Sequence, residues 1–121
     1  MYKVKVKEHI MIAHSLPDPF FGPAQHMHGA TYVVEVTFKS EKLNDKNVVI
    51  DIGEASNIVK EVLGELAYKN LDKLPQFKGV LTTTEFLAQY IHGNIKNKLL
   101  EKLKIGVELF ESHVASASYE D

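Results

Sequence analysis

Three histidines fall close together early in the chain, His14, His26 and His28, and no other group of residues offers as much chemistry in so short a stretch. His26 and His28 are spaced i, i+2, so in an extended segment both rings point to one face. His14 ends the preceding segment, and an antiparallel pairing of the two segments brings all three rings to one end of a sheet. A catalytic zinc takes three protein ligands and keeps one position open. The cluster therefore predicts either a three-histidine Zn2+ site or a group of hydrogen-bonded, solvated imidazoles that titrate near neutral pH.

The other three histidines are isolated. His9 sits mid-strand and reads as structural. His92 falls within a helical pattern and His113 in a hairpin turn, where surface or packing roles are the simplest reading and a base role is the alternative. Glu111 closes a short apolar strand, Val107–Glu111. A carboxylate at the mouth of a sheet can accept two parallel hydrogen bonds from an amino group and a neighbouring ring N–H. The plain alternative is a strand-end acid in water. Asp51 follows three apolar residues, where it can cap a helix or hold a loop. The chain has no cysteine, which excludes disulfides, thiolate ligands and a cysteine nucleophile or base.

Positioning these groups requires long elements. Residues 2–14 alternate apolar and lysine positions with the period of a half-buried strand. The pattern blurs at Ile10, Met11 and Ile12, where a bulge or a change of face is expected. Pro17 and Pro19 end the element because neither has a backbone donor. Residues 15–27 form a loop whose bulk is Phe20 and Phe21, which either cover the core or wall a pocket. Residues 28–39 read as a second strand, rich in Tyr, Val, Thr and Phe.

A helix is expected from Gly53 or Glu54 to about Asn70, with Ile58, Val62, Leu63 and Leu66 as its apolar stripe. A second helix starts at Thr82–Thr84, where threonine can cap free amides and Glu85 suits the first turn. Phe86, Leu87, Tyr90, Ile91, Ile95, Leu99 and Leu100 supply its buried face. Residues 105–111 and 114–119 close the domain as two strands. The expected architecture is α+β, ordered β-β-α-α-β-β, in one domain over residues 1–121, with two helices on one face of an antiparallel sheet. Strands this long leave edges that need cover. Pairing of edges between subunits into a barrel supplies it, so a homo-oligomer is expected.

Composition narrows the function classes. A formal net charge of -2 provides no field that favours a polyanion, so no nucleic-acid partner is expected. No run approaches the roughly 18 apolar residues of a membrane span. The alternating start is not a secretion signal, and the expectation is a cytoplasmic protein without a membrane partner.

Several stretches, in order along most of the chain, resemble the 6-pyruvoyl-tetrahydropterin synthase and 6-carboxytetrahydropterin synthase family, whose members have the T-fold. They are IAH at 12–14, HGATYVVEVTF at 28–38, VVIDI at 48–52, YKNLDKLPQF at 68–77, TTTEFLAQYI at 82–91, VELFES at 107–112 and SASY at 116–119. The resemblance implies that His14 is the first zinc ligand and His28 the first histidine of a His-Gly-His motif. It implies that Glu111 anchors a pterin's amino edge, with Thr83 and Glu85 at the family's Pro-Thr-x-Glu helix start. It also implies a trimer or a hexamer of two stacked trimers, with sites at subunit boundaries.

The chain departs from that pattern in its proton carriers. Ala30 stands where the second motif histidine is expected, Ala24 where the catalytic cysteine falls, and Ala67 and Tyr68 where an Asp-His pair assists proton transfer. A two-residue shift would keep the side-chain face and let His26 and His28 replace the missing motif. The family chemistry is metal-assisted acid–base elimination. Candidate substitutes for the lost groups are Tyr68 as an acid and His26, His92 or His113 as a base. The expectation is a lyase-like protein acting on a dihydroneopterin triphosphate-like pterin. The alternatives are a catalytically inactive pterin- or purine-binding oligomer and a purely structural oligomer.

Overall fold

The computed structural model describes residues 1–121. Two strands, β1 (Tyr2–His14) and β2 (His28–Ser40), are followed by helices α1 (Ile52–Gly64) and α2 (Thr84–Lys98) and by strands β3 (Lys104–Ser112) and β4 (Ala115–Glu120). The strands form one sheet in the order β1-β2-β3-β4, antiparallel throughout. The expected β-β-α-α-β-β order is the observed one.

The two long strands pair from Tyr2↔Ser40 to His14↔His28 without a break. The expected bulge at Ile10–Ile12 is absent. Ile10, Ile12 and His14 are buried while His9 and Met11 are exposed, so the alternation of faces runs to the end of β1. His9 accordingly faces outward and has no place in the core. Met11 only imitates a break because it is apolar on the solvent side.

The inner face carries Val6, Ile10 and Ile12 from β1, Tyr32, Val34, Val36 and Phe38 from β2, and Ile105, Val107 and Leu109 from β3. The helices cover it with Ile58, Val59, Val62 and Leu63 from α1 and Leu87, Ala88, Ile91 and Ile95 from α2. All these residues belong to one cluster, so the two helices and the sheet share a single core.

Asp51 caps α1, accepting from the Glu54 amide at 2.9 Å. The helix ends at Gly64, earlier than the periodicity suggests. Leu66 stays buried, but Ala67 and Leu66 turn back onto the Leu63 carbonyl, and Tyr68 has a left-handed φ of 62° that a helix cannot continue through. Leu100 is 92% exposed and leaves the α2 face because the helix stops at Lys98.

Residues 68–70 then run along the outer edge of β1. The Tyr68 amide donates to the Met11 carbonyl, the Ala13 amide donates to the Lys69 carbonyl, and Asn70 bridges to Ala13 in parallel. The end of β1 that carries His14 is thus held from both sides.

A candidate binding cleft at one end of the sheet

Strand register sets the first half of the site. His14 and His28 are direct cross-strand partners, and their rings meet edge to face with centroids 4.6 Å apart. Each ring has its Nδ1 engaged. His28 Nδ1 donates to the His26 carbonyl at 2.8 Å, and since a carbonyl only accepts, the Nδ1 carries the proton. His14 Nδ1 bonds the Thr82 hydroxyl at 2.9 Å. Burial pushes the His14 pKa down, the neighbouring His28 adds to that, and Asp72 and Glu111 oppose it. Just past His14, the Asp72 carboxylate accepts from the Ser15 amide at 3.1 Å and fixes where β1 leaves the sheet.

The second half comes from the start of α2, where three successive threonines do three jobs. Thr82 holds His14. Thr83 is the N-cap and accepts from the Phe86 amide at 3.1 Å. Thr84 donates its hydroxyl proton to Glu111. Glu111 can be reached because the β3–β4 ladder slips there. Phe110 faces Ser116 and Ser112 faces Ala115, which leaves Glu111 unpaired. Such an extra residue re-aims a side chain, and here the carboxylate turns toward the helix start.

These elements enclose a cleft of about 530 Å³ lined by His14, His28, Ala30, Tyr32, Thr83, Thr84, Glu85 and Glu111, with Leu16, Phe21 and Ala24 on its loop side. Phe21 walls the cleft, and Phe20, 85% exposed, stacks edge to face on it from outside. The loop over residues 15–27 is more ordered than expected, forming 3₁₀ turns over Pro19–Gln25 that kink at Gly22, where a φ of 54° suits glycine. Tyr32 is buried at the base of the cleft. Burial pushes its hydroxyl pKa up, the neighbouring Thr84 hydroxyl lowers it, and the negative charge of Glu111 raises it further.

The cleft brings together His14, His28, Thr83, Glu85 and Glu111 of the residues singled out in the sequence. It leaves out four. His26 lies before β2, exposed, and contributes only its backbone carbonyl. His92 is buried on α2 with Nε2 committed to Asp121 at 3.0 Å. His113 is exposed in the β3–β4 turn. Tyr68 is 84% exposed outside the cleft. Thr82, Thr84 and Tyr32 belong to the site and were not singled out. The run of three threonines before Glu85 was the available signal.

Zinc of the kind the resemblance implies does not fit the residues present. His14 and His28 provide two imidazoles, one short of the three that a catalytic zinc has. The register His14↔His28 is the unshifted one, so Ala30 occupies the third position on the same face of β2. No group of three or more His, Asp or Glu side chains stands close enough to hold a metal ion.

Comparison with known proteins agrees with the fold. The family described as 6-pyruvoyl tetrahydropterin synthase matches residues 3–121. The chain is 38% identical over 73 residues to a 6-pyruvoyl tetrahydrobiopterin synthase of Dictyostelium discoideum, covering 59% of this chain and 54% of that protein. It therefore spans little more than half the length of that relative. It is 30% identical over 108 residues to the 6-carboxy-5,6,7,8-tetrahydropterin synthase of Bacillus subtilis (strain 168), covering 84% of this chain and 72% of that one. The structure of Caenorhabditis elegans 6-pyruvoyl tetrahydropterin synthase superposes with a TM-score of 0.89 at 21% identity, covering 99% of this chain and 95% of that chain.

Proposed function

This chain belongs to the 6-pyruvoyl tetrahydropterin synthase family, and on that premise we propose that it binds a pterin, or a purine with the equivalent amino–oxo edge, without the family's elimination chemistry. The observation that carries the reading is Glu111. Its carboxylate is aimed by an irregular strand pairing at the start of α2, held there by Thr84, and opens on the cleft. One oxygen can take the ligand's amino group and the other the adjacent ring N–H.

The same cleft is poor in groups that move protons. Ala24 and Ala30 line it where the resemblance places a cysteine and a histidine. Ala67 and the outward Tyr68 stand where it places an Asp-His pair. General acid–base groups supply about 10²–10⁴-fold each, so their joint loss favours a binder over a catalyst. Assembly into a closed ring of copies is part of the same reading, since β4 and the part of β1 nearer Tyr2 end the sheet with open edges.

Isothermal titration of the full chain with 7,8-dihydroneopterin triphosphate, with guanine as a second ligand, tests the proposal. A parallel assay follows release of triphosphate. Saturable binding at one ligand per chain with no release is the expected result. Absence of binding to either ligand would overturn the reading. Release at an enzyme-like rate would also overturn it and would direct attention to His14 and His28 as the only imidazoles in the cleft.

A further inference from the structure

The two imidazoles at the end of the sheet are arranged as metal ligands often are, yet they stop at two. Each has its Nδ1 anchored by a protein oxygen, which orients the ring and leaves Nε2 for another partner. Their Cα atoms are partners across the β1–β2 ladder, and the rings touch. The next inward position on β2 is Ala30, opposite Ile12. A side chain there lies diagonal to His14, at about 7–8 Å between backbone positions, within reach of a long side chain. It points to the same face as His28 because the two positions are spaced i, i+2.

We propose that the cleft works without a resident metal and that Ala30 is the single position that keeps it so. Two neutral nitrogens offer a divalent cation half of a tetrahedral shell. The remaining positions would fall to water, and a bis-imidazole site of this kind exchanges its metal readily. A third imidazole at position 30 would complete a three-nitrogen set facing the cleft, with the Nδ1 hydrogen bonds that orient His14 and His28 already in place. The cleft has space for it, because Ala30 lines it with a methyl group. In the chain as it stands, the Nε2 atoms of His14 and His28 are free to contact the bound ligand directly. Recognition then rests on Glu111 and on hydrogen bonds to the imidazoles, and ligands without a chelating side chain fit as well as those with one. This last point rests on the pterin-binding reading, whereas the metal statement does not.

The experiment compares the full-length wild type with Ala30→His, both checked for fold by circular dichroism and thermal melting. Each is dialysed against buffer free of metal, analysed by plasma mass spectrometry, and titrated with zinc against a chromophoric chelator. The wild type is expected to retain far less than one zinc per chain, and Ala30→His to bind one zinc at least roughly a hundredfold more tightly. Ala30→His combined with His14→Ala is expected to lose that gain. Stoichiometric zinc in the dialysed wild type would overturn the proposal, as would a folded Ala30→His variant that binds zinc no better than the wild type. Ligand titrations of the wild type with and without EDTA separate the two readings. Loss of binding in EDTA alone counts against metal independence, whereas absence of binding in both buffers counts against the pterin reading and leaves the zinc arms standing.

Discussion

Thr84 at the first turn of α2 donates its hydroxyl proton to Glu111 at the end of β3, joining the two elements at the cleft. The bond takes one of the carboxylate's lone pairs and turns the remaining ones toward the cleft. Thr84 is thus a positioning residue and Glu111 the one that meets the ligand. Glu111→Gln removes the charge and puts an amide donor against the ligand's donors. Pterin affinity should fall about a hundredfold, the roughly 2–3 kcal/mol of a charge-assisted pair. Thr84→Val keeps the shape and loses only the bond, so affinity should fall about tenfold, near 1.5 kcal/mol. Calorimetry with both variants checks the order, and equal affinities for wild type and Glu111→Gln would remove Glu111 from the site.

Thr83 should behave in the opposite way. Its hydroxyl satisfies the Phe86 amide at the free end of α2 and touches nothing else polar. Thr83→Ala should cost about 1 kcal/mol of stability and leave pterin affinity nearly unchanged. Urea unfolding and calorimetry on the same preparation distinguish it from Thr84→Val, which should move affinity more than stability.

Asp121 ties the end of β4 to α2 and should confer an acid-sensitive stability. Burial by itself would raise its pKa, but the Ile105 amide, Lys96 and His92 together hold the carboxyl well below the usual carboxylate range. A carboxyl with a depressed folded pKa stabilises the fold fully above its unfolded pKa of about 3.9 and loses that contribution as pH falls toward the folded value. Asp121 is partly open to solvent, so the contribution is modest, about 1 kcal/mol. Urea midpoints of wild type and Asp121→Asn should differ at pH 6 and converge as the pH is lowered below about 3.9. A constant difference across that range would assign the effect to packing rather than to charge.

Tyr68 holds a left-handed backbone conformation that is costly for a bulky residue, with φ of 62°, while its ring is almost wholly in solvent. Its backbone is what the fold uses, through the bond from its amide to the Met11 carbonyl. Glycine adopts this conformation without steric cost but loses more entropy on folding. The balance predicts that Tyr68→Gly is neutral or stabilising, by up to about 1 kcal/mol. A fall of several degrees in melting temperature would show that the ring makes contacts that matter, and its dependence on protein concentration would place them between copies.

The sequence was most legible where one physical rule acts alone. Alternation located β1 and β2, and the apolar stripe after Asp51 and the threonines at 82–84 placed both helix starts to within two residues. It was less legible where tertiary contacts override a local pattern. Leu66 continues the α1 stripe and is buried, yet the helix has ended, because residues 68–70 are drawn onto the edge of β1. In the site, strand pairing brings His14 to His28, and counting residues along the chain gives no reason to exclude His26. Thr82 and Thr84 look like further capping residues until the fold sets His14 and Glu111 beside them. The slip in pairing at Glu111 has no mark of its own in VELFES, since no glycine or proline announces it.

The open edges make the last prediction. Strands alternate in direction through the order β1-β2-β3-β4, so β4 of one copy runs antiparallel to β1 of a neighbour placed beside it. Continuing the ladder in this way keeps the helices on one side of the growing sheet, and the twist of such a sheet is what would close it into the proposed ring. The residues at 68–70 already cover β1 beside Met11 and Ala13, so the neighbour must pair with the part of β1 nearer Tyr2. For the trimer or hexamer that the family resemblance implies, sedimentation equilibrium should give a mass threefold or sixfold that of the 13.6 kDa chain. Hydrogen exchange should show protected amides along β4 and the first half of β1 that become exposed on dilution. A monomer at micromolar concentration, with fast exchange at both edges, would leave the sheet open and the ring without support.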